Sequence, residues 1–341
     1  MTLAAAPPHV GNEPSATARR LLLAWGAPLA LLALAVVLGL SLGAVSLSPV
    51  RVLDWLLDRN DPLARTIVWD LRLPRVLLAL LVGASLGVAG ALLHGVTRNP
   101  LADPHILGLT AGGGLAASLA IRISPDVPAG AMAPIAFGGA LVGAALLYGM
   151  SWRGGVSPVR LALSGVAIAS LLTAGITMIL VTSNLTTQAS LSFLAGGLFG
   201  RGCDEFYAVW PYMAGGLIAA MLLSRSMNIL TLGDEAAQSL GLGVERTRVF
   251  AIATAAMLAG ASVSVAGMVA FVGLVIPHIA RFLTSDDHRS LIPLSAILGA
   301  ALVVYADLLA RVVDKPVEIP LGIVTAIAGA PFLLYMVRWR A

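Results

Sequence analysis

The chain has 341 residues, 58% of them hydrophobic and only 11% charged, with a mean hydropathy of +0.93 and a formal net charge of +4. A soluble domain carries about 25% charged residues, and the deficit runs the whole length, which excludes a separate soluble domain. Cys203 is the only cysteine, so intramolecular disulfides are excluded and a cysteine-based metal cage is implausible.

A helix crossing a bilayer needs about 20 apolar residues. In chain order, a polar tail over 1–20 carries Arg19 and Arg20 and is expected in the cytoplasm. The first span, 21–45, is longer than the apolar region of a signal peptide and is read as a retained helix. Residues 51–75 interleave Arg51, Arg59, Arg65, Arg72 and Arg75 with Asp54, Asp58, Asp61 and Asp70, the pattern of an amphipathic segment outside the bilayer. Further spans are expected at 73–97, 105–122, 131–150, 160–183, 206–226, 248–268, 270–284, 290–311 and 319–337, with 270–284 the least secure. The expected fold is therefore all-α: one transmembrane domain over 21–341 with about ten helices.

Arginines in the short loops set the orientation. With the N-terminus inside, Arg98, Arg153, Arg225, Arg246, Arg248, Arg281 and Arg289 face the cytoplasm, as do Arg338 and Arg340. Both termini are then cytoplasmic. These arginines explain the pI near 9.7; no basic run with interleaved aromatics points to nucleic acid. Glycines at small-xxx-small spacing, Gly83/Gly87, Gly108/Gly112 and Gly139/Gly143, fit close helix crossings in lipid. Asp307 and Arg311 are four apart and share a helical face near the outer end of their span. The near absence of acids at the middle of the spans weakens an ion-coupled secondary carrier.

Between the sixth and seventh spans, the loop over 228–247 contains Asn228–Gly243. Asp234 and Glu235 suit a helix start, and Gly241 and Gly243 are natural stops. Ala236, Ala237 and Leu240 fall on one face and Glu235, Gln238 and Ser239 on another. This reads as a short amphipathic helix on the cytoplasmic side. Its acidic start and small apolar face fit a protein partner better than headgroups. The only lysine, Lys315, precedes Pro316 and cannot serve a nucleotide-binding P-loop, so any ATPase must be another polypeptide.

The run Arg72-Leu73-Pro74-Arg75, followed later by Arg98-Asn99-Pro100-Leu101-Ala102-Asp103-Pro104, resembles the FecCD/BtuC-type permeases of binding-protein-dependent ABC importers. Gly273-Leu274-Val275-Ile276-Pro277-His278, Glu318-Ile319-Pro320-Leu321-Gly322 and Gly329-Ala330-Pro331-Phe332 extend the resemblance in order to the C-terminus. It implies a ten-helix, BtuC-like subunit in the inner membrane, working as a homodimer with two cytoplasmic ATPase subunits and a substrate-binding protein. ATP and Mg would sit on the ATPase, with no cofactor on this chain. A ferric siderophore is the first cargo implied, with haem or cobalamin as alternatives.

The resemblance also implies site residues. Asp234, Glu235, Ala237, Leu240 and Gly241 would form the coupling helix. Arg72, Arg75 and Arg311 would dock the binding protein, although Arg72 and Arg75 could equally anchor a helix end and Asp307 could neutralise Arg311. Ser190, Phe193, Gly196 and Gly197 would line the pathway. Two positions depart from the family pattern: His94 replaces a common Gln, and Phe193 a common Trp. His9, His94, His105, His278 and His288 show no metal-ligand spacing. Neither a metalloprotease motif nor a serine with an identifiable base supports an intramembrane enzyme.

Overall fold

The computed structural model describes residues 22–43, 45–57, 61–124, 126–152, 158–182, 193–314 and 317–340. The expected tail over 1–20 and Ser190 lie outside these residues. A π-helical turn, Leu22–Gly26, leads into α1 (Ala27–Ser41), and α2 (Pro49–Leu57) follows. A π-helical run, Arg65–Arg72, continues without a break into α3 (Leu73–Thr97). Next come α4 (Leu109–Ile123), α5 (Ala129–Ser151), α6 (Pro158–Thr182), α7 (Cys203–Thr231) and α8 (Asp234–Ser239). The chain ends with α9 (Val244–Ala266), α10 (Val272–Leu283), α11 (His288–Val312) and α12 (Leu321–Arg340).

Among the described residues, seven helices are long and apolar enough to cross a membrane, and three shorter apolar ones cover Leu109–Ile123, Val272–Leu283 and Leu321–Tyr335. Together they match the expected spans in order, and the chain is a multi-pass, all-helical membrane protein. Two details differ from expectation. Arg65–Arg72 extends the second crossing outward, because Val68 is buried and Ile67 and Trp69 pack with Leu40, Leu47, Val52 and Val76; only α2 remains a separate segment. At 12 residues, α10 is about 18 Å long, too short for a core about 30 Å thick.

The organising element is α3. It starts with Pro74 in its first turn and ends at Arg98, which takes a left-handed φ of 48° just before Pro100. Because the π-helical run leads straight into α3, Pro74 withholds a donor from the last turn of that run, and the change from π to α geometry falls at this point. Every residue from Val82 to Thr97 is buried, and α3 packs against α11, α9, α7 and α10. Glycine permits this approach: a Cβ on Gly83 would lie 2.1 Å from the Gly299 carbonyl oxygen of α11, and one on Gly90 would lie 1.9 Å from that of Gly273 in α10. All three expected glycine pairs occur at such crossings, with Gly112 of α4 against Gly139 and Gly143 of α5. Small residues thus replace the missing hydrophobic drive between helices in lipid.

Candidate functional site: two charged ends of one bundle

Charged groups gather at the two ends of α3. At one end Arg75 reaches two carboxylates. Its Nε and Nη2 donate to Asp307 Oδ1 at 3.0 and 2.8 Å, while Nη1 and Nη2 donate to Glu318 at 3.1 and 2.7 Å. Asp307 also holds Arg311 at 3.1 Å, the pairing expected within α11. Arg311 donates to the Gly39 carbonyl at 3.4 Å. Arg72 donates to the Leu40 and Ser41 carbonyls at 2.6 and 2.9 Å and to that of Val45. Both cations thus satisfy the unpaired carbonyls at the C-terminus of α1, where the helix dipole favours positive charge.

The three arginines expected to dock a partner are therefore brought together, each with internal bonds. Arg72 is spent on backbone carbonyls, whereas Arg75 and Arg311 share Asp307. Glu318 completes this end, and the sequence reading did not single it out. Its signals were an acid shortly before Pro320 at the start of the last span and its place at the head of the Glu318–Gly322 block, which was quoted for the resemblance without a role for Glu318.

At the opposite end lies α8. Gly233 and Gly241 flank it with φ of 109° and 79°, conformations that side chains disfavour. The Leu242 amide reaches back to the Ala237 carbonyl at 3.0 Å, a Schellman closure. Gly243 has an ordinary φ of −72°, so Gly241 alone is the glycine stop. The face expected to be apolar is split, because Ala237 is fully buried while Ala236 and Leu240 point outward. Leu232 and Leu240, 63% and 62% exposed, are left uncovered at this end, as is Glu235.

Asp234 is not free. It accepts from Arg98, at the end of α3, and from Arg248 Nη2 at 2.7 and 2.8 Å. Arg248 also donates to Glu245 at 3.1 Å. These bonds tie α8 to α3 and α9. Sequence reading counted Arg248 only as a topology marker, and Arg98 as a topology marker and the first residue of the Arg98–Pro104 block, with no partner for either. Arg248 stands just past the start of α9, between the buried Thr247 and Ala251, and that flank was the available signal.

The same end carries two more ties. Asn228 at the end of α7 accepts the His288 amide at 2.7 Å and donates to Asp287 at 2.6 Å. The Arg289 amide and the Asn228 side chain hold the Asp287 carboxyl below the usual range. Asp103 is buried between α3 and α4, and its carboxylate accepts the His105 amide at 2.7 Å. Burial pushes that carboxyl above its usual range, although amides of His105, Ile106 and Leu274 oppose the shift.

Phe193 is half-buried against Ile176, Leu180 and Met268, and its carbonyl accepts the Met268 amide at 3.2 Å. The Gly197 amide bonds the Ala266 carbonyl at 2.8 Å, and Gly196 has a φ of 71°. This segment packs onto the break between α9 and α10. A cleft of about 160 Å³ beside it is lined by residues including Met132, Phe193, Arg201, Glu205 and Ser264. The histidines have local partners: His94 meets Arg281 at 3.1 Å, His105 meets Thr110 at 3.2 Å, and His288 meets Asn228 at 2.9 Å. His278 stacks edge-on against Phe282 and Phe332. Among the described residues, no cluster of three or more His, Cys, Asp or Glu side chains is arranged to hold a metal ion.

A glycine-locked bundle of about ten apolar helices, with charge confined to its two ends and a short capped helix at one of them, defines a membrane transport subunit. The family model described as "FecCD transport family" matches residues 31–339. The chain belongs to that family. It is 40% identical to the Fe(3+)-citrate import system permease protein YfmE of Bacillus subtilis, over 92% of this chain and 96% of that one. Identity is 41% to the cobalamin import system permease protein BtuC of Halobacterium salinarum, over 81% of this chain and 74% of that one. A solved structure of a metal-chelate type ABC transporter in an inward-facing conformation superimposes with a TM-score of 0.80 at 28% identity, covering 92% of this chain and 98% of that one. Membership implies association with ATPase and substrate-binding partners, and localisation in the inner membrane.

Proposed function

We propose that this chain is the permease of an ATP-driven importer that carries a ferric siderophore or a similar iron chelate. The observation that carries the cargo assignment is the near full-length likeness to an Fe(3+)-citrate import permease. A separate ATPase subunit hydrolyses ATP, and this chain does no covalent chemistry. Two copies form the pathway between them, near 190–200, and hold cargo only weakly, because tight binding would prevent release.

The coupling helix is α8. Leu232, Leu240 and Glu235 face the ATPase, while Asp234 works inward, holding the helix on α3 and α9. Movement of the ATPases then reaches the bundle through the Asp234 bonds to Arg98 and Arg248. Arg75 and Arg311, with Glu318, form the face for the binding protein. The likeness to a cobalamin permease keeps cobalamin as a second cargo reading. An ion-coupled carrier is disfavoured: among the described residues, Asp307 is a buried acid in a long span, and it lies at the outer end, held by two arginines.

The test is uptake by cells lacking only this protein, offered labelled ferric citrate, a ferric hydroxamate, haem and cobalamin. Selective loss of one iron chelate supports the reading. Loss of cobalamin uptake alone moves the cargo, and uptake that persists after ATP depletion rejects the ATP-driven mechanism. Co-purification of two differently tagged copies tests the homodimer.

A further inference from the structure

The outer charge cluster is built asymmetrically. Asp307 lies on α11, is 2% exposed, and bonds both Arg75 and Arg311. Glu318 is 28% exposed, lies in the non-helical segment before α12, and holds only Arg75. Of the two carboxylates on Arg75, Glu318 is the one that water and a partner can reach. Arg72, Arg75 and Arg311 against Asp307 and Glu318 leave one surplus positive charge, so an incoming carboxylate meets an attractive field.

Glu318 is also mechanically connected. Four residues later, Gly322 sits so close to the pathway segment that a Cβ there would lie 2.0 Å from the Ala195 carbonyl oxygen and 3.2 Å from that of Met268. Ala195 belongs to the Phe193–Gly197 stretch, and Met268 bonds Phe193. A short, tightly packed stretch of chain therefore runs from the Arg75–Glu318 pair to the pathway wall.

We propose that Glu318 is a displaceable latch: it occupies Arg75 in the undocked permease, and a carboxylate of the binding protein takes its place on docking. This rests on the reading of Arg75 as a docking residue. Exchanging one carboxylate for another on the same guanidinium is nearly balanced in energy, so docking stays reversible. With Glu318 displaced, the 317–320 segment keeps the Ile319 amide on the Ala310 carbonyl at 3.0 Å and the Val317 amide on the Asp314 carbonyl at 2.8 Å. Pivoting on these, the first turn of α12 shifts against Ala195, which links binding-protein arrival to opening of the pathway. A real coupling requires an element with two arrangements that both sites bias, and the Glu318 segment is that element.

The experiment uses the permease assembled with its ATPase in lipid nanodiscs, titrated with its binding protein. Opening is read as the thiol-labelling rate of Phe193→Cys, half-buried beside the cleft, in a Cys203→Ser background. Glu318→Gln and Glu318→Ala should each tighten binding about fivefold, the weight of one partly exposed ion pair. Without binding protein they should label at the rate the unsubstituted chain shows only when docked. Arg75→Gln should weaken binding and abolish the difference made by Glu318→Gln. If Arg75→Gln weakens binding while both Glu318 variants bind and label like the parent, the latch is refuted and the docking face stands. If Arg75→Gln binds like the parent, the docking reading fails and takes the latch with it.

Discussion

Arg248→Gln should loosen α8 while leaving the bundle folded. Arg248 is 2% exposed and gives two bonds to Asp234, at 2.7 and 2.8 Å, and one to Glu245 at 3.1 Å. Hydrogen bonds to charged groups contribute about 1.5–3 kcal/mol each. Asp234 is 38% exposed and keeps Arg98, so water and that second guanidinium recover part of the loss. A net destabilisation of about 2 kcal/mol at α8 remains, which raises its local opening about thirtyfold. Hydrogen exchange should show this at the amides of Ala237, Leu240 and Leu242, which close the helix. In the reconstituted importer, more ATP should be hydrolysed for each cargo imported, because the ATPase would push on a loosely held lever. Unchanged protection in α8, or an equal loss spread along α9, would refute the anchoring role.

Leu240→Asp should weaken ATPase co-purification by about tenfold, a cost of about 1.4 kcal/mol for one central apolar contact, with the thermal stability of the isolated permease unchanged. Gly83→Ala forces a methyl to 2.1 Å from backbone that cannot yield and should cost about 3 kcal/mol in detergent unfolding. Gly138→Ala meets nothing within 4 Å and should be neutral or slightly stabilising. The tie between Asn228, Asp287 and the start of α11 should depend on pH. The Asp287 carboxyl is held below its ordinary value of 3.8, so its contribution is full above about pH 4 and disappears as pH falls through the lowered value. Hydrogen exchange at Arg289 and Ser290 measured from pH 6 to pH 3 checks this; protection that stays flat, or rises on acidification, counts against it.

The crossings were legible because bilayer thickness imposes a length and a polarity that each span must meet alone. Glycine spacing was legible for a related reason: in lipid, close approach is written into sequence as small residues. The capped helix at 234–239 carried its own acids and glycines and needed no distant information. Legibility stopped where partners are far apart in the chain. Nothing near Asp234 indicates that Arg98, at the end of α3, and Arg248 neutralise it. Amphipathic logic placed Leu240 with Ala237, yet a six-residue helix is too short for its periodicity to define a face. Likewise the charges over 51–75 looked solvated until Arg72 found three backbone carbonyls at the end of α1.

Those long-range pairs make a mechanical point about the fold. Arg75 and Arg98 lie at the two ends of α3, a helix of 25 residues and so about 37 Å long. One arginine belongs to the candidate binding-protein face and the other to the candidate ATPase face. Between them α3 is pinned by backbone contacts at Gly83, Gly87 and Gly90 to α10 and α11, which leaves it no room to bend or slide. A rod of this kind can carry a displacement from one face to the other as a unit. At its inner end α3 holds α8 through Arg98 and Asp234, and at its outer end it holds the α12 entry through Arg75 and Glu318. Beside these carboxylates, α8 also buries Ala237, and the α12 entry also places the Ile319 amide on the Ala310 carbonyl at 3.0 Å and Gly322 against Ala195. Exchangeable ionic bonds thus sit at the two faces where partners would arrive, and glycine contacts hold the length of the axis between them.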